Sequence, residues 1–398
     1  MAKSVPAIVQ PSILAWARES AGYSLEEAAK KLQTSSDKLE SWENGTKPPS
    51  IARVRKMVTV YKRPLHFFFL DEPPVDPPIP HDFRRLPVDG IVHYEPTLRF
   101  HVRAAYERRQ IALDLAADLD VKPTPFPLAG SLGDDTEALS DRVRSFLTVT
   151  VADQKRMHRR GDNYRFWRAR LEAKDILIFQ FTGIRPKQML GFSLSFELLP
   201  VIAVNRKLKP NGRVFTLLHE LAHLIVGESG VCDLAEDHLG SPKDQQTEIF
   251  ANRLAAAMLL PKAAFLSEPI VRRRGSGQHE WSNDELESLA LAYGVSEETV
   301  LRRLLTLGRT TQRFYARKRA EYLARYERLE EEEREGGDQD EFRRNRPQEV
   351  ISDFGRFFTG LVLANYSQDR ISLTDASKFL GVKAPMVEKV ERLLLARS

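Results

Sequence analysis

The chain has 398 residues, of which 42% are hydrophobic and 29% charged, the balance of a globular protein long enough for two to four domains. Net charge is +5 with a pI near 9.1, which permits nucleic acid as a partner without arguing for it, so local charge has to decide. One cysteine, Cys232, excludes a disulfide framework and fits a reducing, cytoplasmic setting; no run of about 18 apolar residues and no secretory leader point to a membrane.

Residues 12–70 read as several short helices with turns at Gly22, at Gln33-Thr34-Ser35 and at Asn44-Gly45, so 1–70 is expected to be a small all-α domain. In it Ser24 to Leu32 is expected to be the first helix of a helix-turn-helix pair, and Ser36 to Glu43 the recognition helix. That helix would present Ser36, Asp37, Lys38 and Ser41 to DNA, with Lys47 and Arg53 beside them. Residues 24–49 hold five acids against four lysines, a poor balance for neutralising phosphates, whereas Arg53, Arg55, Lys56, Lys62 and Arg63 add positive charge without an acid. DNA binding is therefore expected, and docking to a protein or dimerisation through the same fold stays open. Residues 71–80, DEPPVDPPIP, stop helix and strand alike and place a linker over 71–96.

From about 97 to 190 the pattern is helical with a break around Pro123 to Gly133, and strands are expected at Asp175 to Phe179, at the alternation Phe192, Leu194, Phe196, and at Val201 to Val204. The strands near 191–205 could offer an edge to an extended peptide, and a fully paired structural strand is an equal alternative. Two apolar helices follow, 213–226 and 245–260, closed by Gly227 and Pro261, which makes 97–265 a mixed α+β domain. Residues 266–310 read as a helix-turn-helix-like region and 311–347 as an exposed charged helix with a linker. Residues 348–398 read as a helical C-terminal domain. Three segments, Ser24 to Leu39, Leu286 to Val300 and Ser372 to Val387, share one spacing of apolar and turn positions, as a weak repeat of helix pairs would.

The chemistry sits in 213–227, RVFTLLHELAHLIVG. Polar residues are rare in this helix, so it should be buried and its histidines need partners. His219 and His223 are four apart, which puts both imidazoles on one face where they can share a metal ion, and Glu220 lies beside them as a general base. Zinc lowers the pKa of its water towards about 7 and polarises a carbonyl, the combination peptide hydrolysis requires. A third ligand is available in Glu248, with Asn252 one turn later able to orient it. Asp233, Asp237, His238 and Asp244 are the competing ligands, in a turn-rich segment. Cys232 reads as an ordinary small residue.

HELAH followed by Glu248-Ile249-Phe250-Ala251-Asn252-Arg253-Leu254-Ala255 resembles the ImmA/IrrE family of zinc metallopeptidases, over roughly 150–265. Trp42-Glu43-Asn44-Gly45-Thr46-Lys47-Pro48 resembles the end of an XRE-type helix-turn-helix domain. The resemblance implies a zincin-like site with one zinc ion per chain, Glu248 as third ligand, and a helix-turn-helix repressor as protein substrate, in stress, phage or toxin–antitoxin regulation. A homodimer is among the assemblies it allows. Two other readings remain: a DNA-binding regulator whose peptidase-like domain senses a signal or binds a partner with little catalysis, and a toxin–antitoxin component that acts by binding a neighbouring gene's product.

Overall fold

The computed structural model describes residues 5–78, 80–82, 96–159, 161–186, 188–232, 241–277, 279–335 and 346–396. The chain divides into two compact units, one of Met1–Ile79 with Pro87–Glu107, the other of Pro80–Leu86 with Arg108–Ser398. The arrangement is α+β and multidomain.

The first unit holds helices α1 (Pro11–Ser20), α2 (Leu25–Leu32), α3 (Ser36–Glu43) and α4 (Ile51–Tyr61), then a 3-10 turn at Leu65–Phe69. Ser24 starts α2 with a capping box: its hydroxyl accepts from the Glu27 amide while the Glu27 carboxylate accepts from the Ser24 amide, which satisfies two otherwise orphaned donors. Gln33 then takes the left-handed conformation that ends the helix and turns the chain into α3. Leu32, Leu39, Trp42, Val54, Met57 and Phe68 close a small core. The proline-rich segment after it is not fully detached, because Asp76 accepts a 2.5 Å bond from Arg63. The later part of the expected linker, 83–95, lies outside the described residues. The first half of α5 (Pro96–Asp118) belongs to this unit, where Arg103 donates to the carbonyls of Ser20 and Tyr61 and so caps α1 and α4.

The second unit continues with α6 (Thr136–Phe146), α7 (Val151–Arg159) and α8 (Asn163–Glu172), so the helical stretch ends at Glu172 and not near 190 as expected. A mixed sheet follows. Strand β1 (His81–Asp82) is joined by β2 (Leu177–Phe181), β3 (Gly191–Leu194), β4 (Val201–Asn205) and β5 (Gly230–Cys232), in the order β1-β5-β3-β4-β2. β2 runs parallel to β4, and β3 lies antiparallel to both β4 and β5. Of the two readings of 191–205, the fully paired one holds: β3 and β4 are interior, each hydrogen-bonded on both sides, and offer no free edge. β2 begins two residues later than expected, after a left-handed turn at Asp175. Ser193, whose alternation with Phe192 and Leu194 suggests a solvent face, is fully buried, since both faces of these strands are covered.

Helix α9 (Pro210–Ile225) packs on the sheet, against β3, β4 and β5, and α10 (Pro242–Leu259) packs on α9. After them come α11 (Lys262–Leu266), α12 (Pro269–Arg274), α13 (Asn283–Tyr293), α14 (Glu297–Thr306) and α15 (Gln312–Glu335). The boundary expected at 265/266 falls inside one hydrophobic core, which includes Phe250 and Leu254 of α10, Leu289 of α13 and Leu304 of α14. The second helix pair of the repeat is thus part of this core. The expected exposed helix of 311–347 also differs: Phe314, Tyr315 and Tyr322 of α15 are buried in the same core, and 336–345 lie outside the described residues. The chain ends in α16 (Arg346–Ser367), kinked at Gly355, with α17 (Leu373–Phe379) and α18 (Ala384–Leu395), where the third helix pair is found.

Candidate metal centre

α9 opens with a proline at its start, where a missing amide costs nothing, and is buried from Thr216 to Ile225. Asn205, at the end of β4, sets its entry. The Asn205 side-chain Nδ2 donates to the carbonyls of Ile184 and Met189, and its side-chain oxygen accepts from the Lys207 amide. α10 begins with a second capping box, in which Ser241 and Asp244 exchange hydrogen bonds. Asp244 is thereby placed at a helix cap. Asp233, Asp237 and His238 lie outside the described residues.

The two helices bring three side chains to one point. His219 Nε2 stands 3.1 Å from His223 Nε2 and 3.3 Å from one Glu248 oxygen, while His223 Nε2 is 3.2 Å from the other. Zinc held at about 2.0–2.1 Å in tetrahedral geometry separates its ligand atoms by roughly 3.3 Å, so these spacings match the edges of such a site. The exposures are 5% for His219, 0% for His223 and 3% for Glu248, and Glu220 beside them is also at 0%. Burial pushes the Glu248 carboxyl up, but the two imidazoles outweigh it and hold it well below the usual carboxylate range. Burial likewise opposes a proton on His223, and Glu248 reverses this, raising the imidazole. Glu248 is therefore held ionised, the state a cation binds. Among the described residues this is a group that could hold a metal ion.

Residues 172–305 match the family model of the IrrE N-terminal-like domain, a peptidase family, and residues 13–66 match that of a helix-turn-helix domain. The chain carries an IrrE N-terminal-like domain. No curated protein matches the chain. The IrrE-like match runs from the end of α8 to α14, across the boundary expected at 265/266, in agreement with the single core.

Several residues that position this IrrE-like site carry no motif. Gly191 in β3 lies against α9: a Cβ there would come within 2.7 Å of Thr216 Cγ2, 2.9 Å of the Ala203 carbonyl oxygen and 2.9 Å of Glu220 Oε1. Its place at the head of an alternating strand is the one available signal. Glu228 bonds through its amide to the His223 carbonyl and accepts through its carboxylate from Thr247, tying the end of α9 to the turn that carries Glu248. The last carbonyls of α10 are gripped in series: Met258 by Arg144, Leu259 by Gln154 and Leu260 by Arg303, which also forms two 2.6 Å bonds with Glu137. Asn252 is half-buried one turn after Glu248 and makes no hydrogen bond to it among the described residues.

In the helix-turn-helix domain, Asp37, Lys38 and Lys47 are exposed and Ser36 is half-buried. The Ser41 hydroxyl donates to the Lys38 carbonyl at 2.7 Å, and Lys38 Nζ lies 6.0 Å from the Trp42 ring centre. Arg53 is used differently from expectation. Its guanidinium donates to the carbonyls of Leu32 at 3.0 Å and Gln33 at 3.5 Å, where it holds the left-handed turn between α2 and α3.

Proposed function

We propose that this protein is a zinc-dependent endopeptidase joined to a DNA-binding domain. The observation that carries this reading is the convergence of three buried donors at 3.1–3.3 Å, with a buried carboxylate one residue from the first histidine. His219, His223 and Glu248 would hold one zinc ion, which when bound supplies a Lewis acid for the scissile carbonyl. Two nitrogens and one carboxylate leave a coordination position open, as catalytic sites do.

Glu220 takes the proton from the attacking water and returns it to the leaving amine, the general acid–base role its place beside His219 supports. Gly191 leaves room for that carboxylate by having no side chain. Asn252 would act indirectly, by orienting Glu248. The substrate is a protein, and a repressor of the helix-turn-helix type is the one we propose, in the setting of stress, phage or toxin–antitoxin control. The protein would act in the cytoplasm, the reducing compartment that a single cysteine fits; no described helix is long and apolar enough to cross a membrane.

DNA recognition would run through the exposed face of α3, with Ser36, Asp37, Lys38, Ser41 and Lys47 near the bases and phosphates, Arg53 supporting the turn, and a homodimer reading two half-sites. The test is incubation of the zinc-loaded protein with the host's helix-turn-helix repressors, with fragments identified by mass spectrometry. A discrete cut supports the reading. Intact repressors, together with specific DNA binding, would favour a regulator whose peptidase-like domain has little turnover.

A further inference from the structure

Outside the metal centre, one surface of the second unit carries positive charge that no described carboxylate neutralises. Residues 299–320 contain seven lysines and arginines and no acid. Five of these have carboxylate partners: Arg302 and Arg319 with Glu298, Arg303 with Glu137, Arg317 with Glu280 and Lys318 with Glu321. Arg313 does not. It is exposed in the first turn of α15, with no ion pair or hydrogen bond from its side chain among the described residues.

The segment that approaches this turn is basic as well. The Arg309 guanidinium donates to the Gly275 carbonyl, while the Arg309 carbonyl accepts from the His279 amide at 3.0 Å and from the Trp281 indole at 3.0 Å. The Thr310 hydroxyl closes the junction by donating to the His279 carbonyl. These bonds bring the last turn of α12 and the start of α15 to one region of the surface. Arg272 and Arg273, in that last turn, are both exposed and, like Arg313, engage no carboxylate among the described residues.

The first turn of α15 has no acid, its early turns carry Arg313 and Arg317, and its end is the acidic run Glu330 to Glu335. A helix dipole favours the reverse order, so an anion beside the first turn, where Arg313 lies, would stabilise the helix.

We propose that Arg272, Arg273 and Arg313 form a phosphate-contacting surface for duplex DNA, separate from the helix-turn-helix domain. It rests on the DNA-binding part of the proposed function and deepens it. The recognition segment 24–49, with five acids against four lysines, is short of phosphate-neutralising charge, and arginines that engage no carboxylate among the described residues supply it without reading bases.

The experiment uses the full chain and a random-sequence DNA duplex, with affinity measured by fluorescence anisotropy from about 50 to 200 mM salt. Three proteins are compared: wild type, the triple variant R272A/R273A/R313A, and the recognition-helix variant K38A/K47A. The triple variant is expected to lower the slope of log affinity against log salt by about 2 to 3, at roughly 0.9 per phosphate contact, with circular dichroism and metal content unchanged. A slope equal to that of wild type overturns the surface. If K38A/K47A matches wild type while the triple variant loses slope, the surface stands and the helix-turn-helix part of the reading falls. Loss of binding to polyglutamate without loss of DNA binding would assign the surface to an acidic protein and overturn the proposal.

Discussion

Gly191 and Glu220 are in such close approach that a Cβ on the glycine would lie 2.9 Å from Glu220 Oε1. The same Cβ would press on the Ala203 carbonyl and on Thr216, so the clash cannot be relieved by moving the carboxylate alone. Gly191→Ala is expected to cost about 1–3 kcal/mol of stability, measured by denaturant unfolding, and to lower cleavage by about 10-fold or more while zinc content is kept. Full activity in the alanine variant would show that Glu220 does not need this position.

Glu248→Ala removes the one carboxylate of the donor set. Two histidines alone are a weak site, so the variant is expected to lose its zinc on gel filtration, and the thermal stabilisation that added zinc gives the wild type should disappear. Retention of one zinc per chain would move the third ligand to the segment before α10.

The Arg53 guanidinium holds the carbonyls that end α2, so its loss should act on folding before it acts on DNA. Arg53→Ala is expected to destabilise the helix-turn-helix domain by about 1–2 kcal/mol in urea unfolding. An unchanged midpoint with weaker DNA binding would return Arg53 to a direct phosphate contact.

The site was more legible than the fold around it. HELAH is a local pattern, because an i, i+4 pair shares a face whatever surrounds it, and the packing of α10 on α9 adds Glu248 to His219 and His223. The recognition helix at Ser36–Glu43 was legible for the same reason. Pairing in the sheet was not. Whether β3 is an edge depends on β5, a three-residue strand contributed from beyond α9, and nothing in 191–205 reports it. The place of 266–310 was hidden likewise, since an amphipathic helix pair has the same pattern whether it stands alone or, as α13 and α14 do, completes a neighbour's core. Arg53 illustrates a third limit: composition marks it as a charge for phosphate, and only the fold shows its hydrogen bonds to backbone carbonyls.

The most direct test of the account is a paired measurement on Glu220→Gln, of metal content and of repressor cleavage. Glu220 is buried beside the donor set and is not one of the three converging ligands, so the variant is expected to keep one zinc per chain while cleavage falls at least about 100-fold. Cleavage near the wild-type rate with zinc in place would contradict a general base at this position, and loss of the metal would make Glu220 part of the site's framework instead.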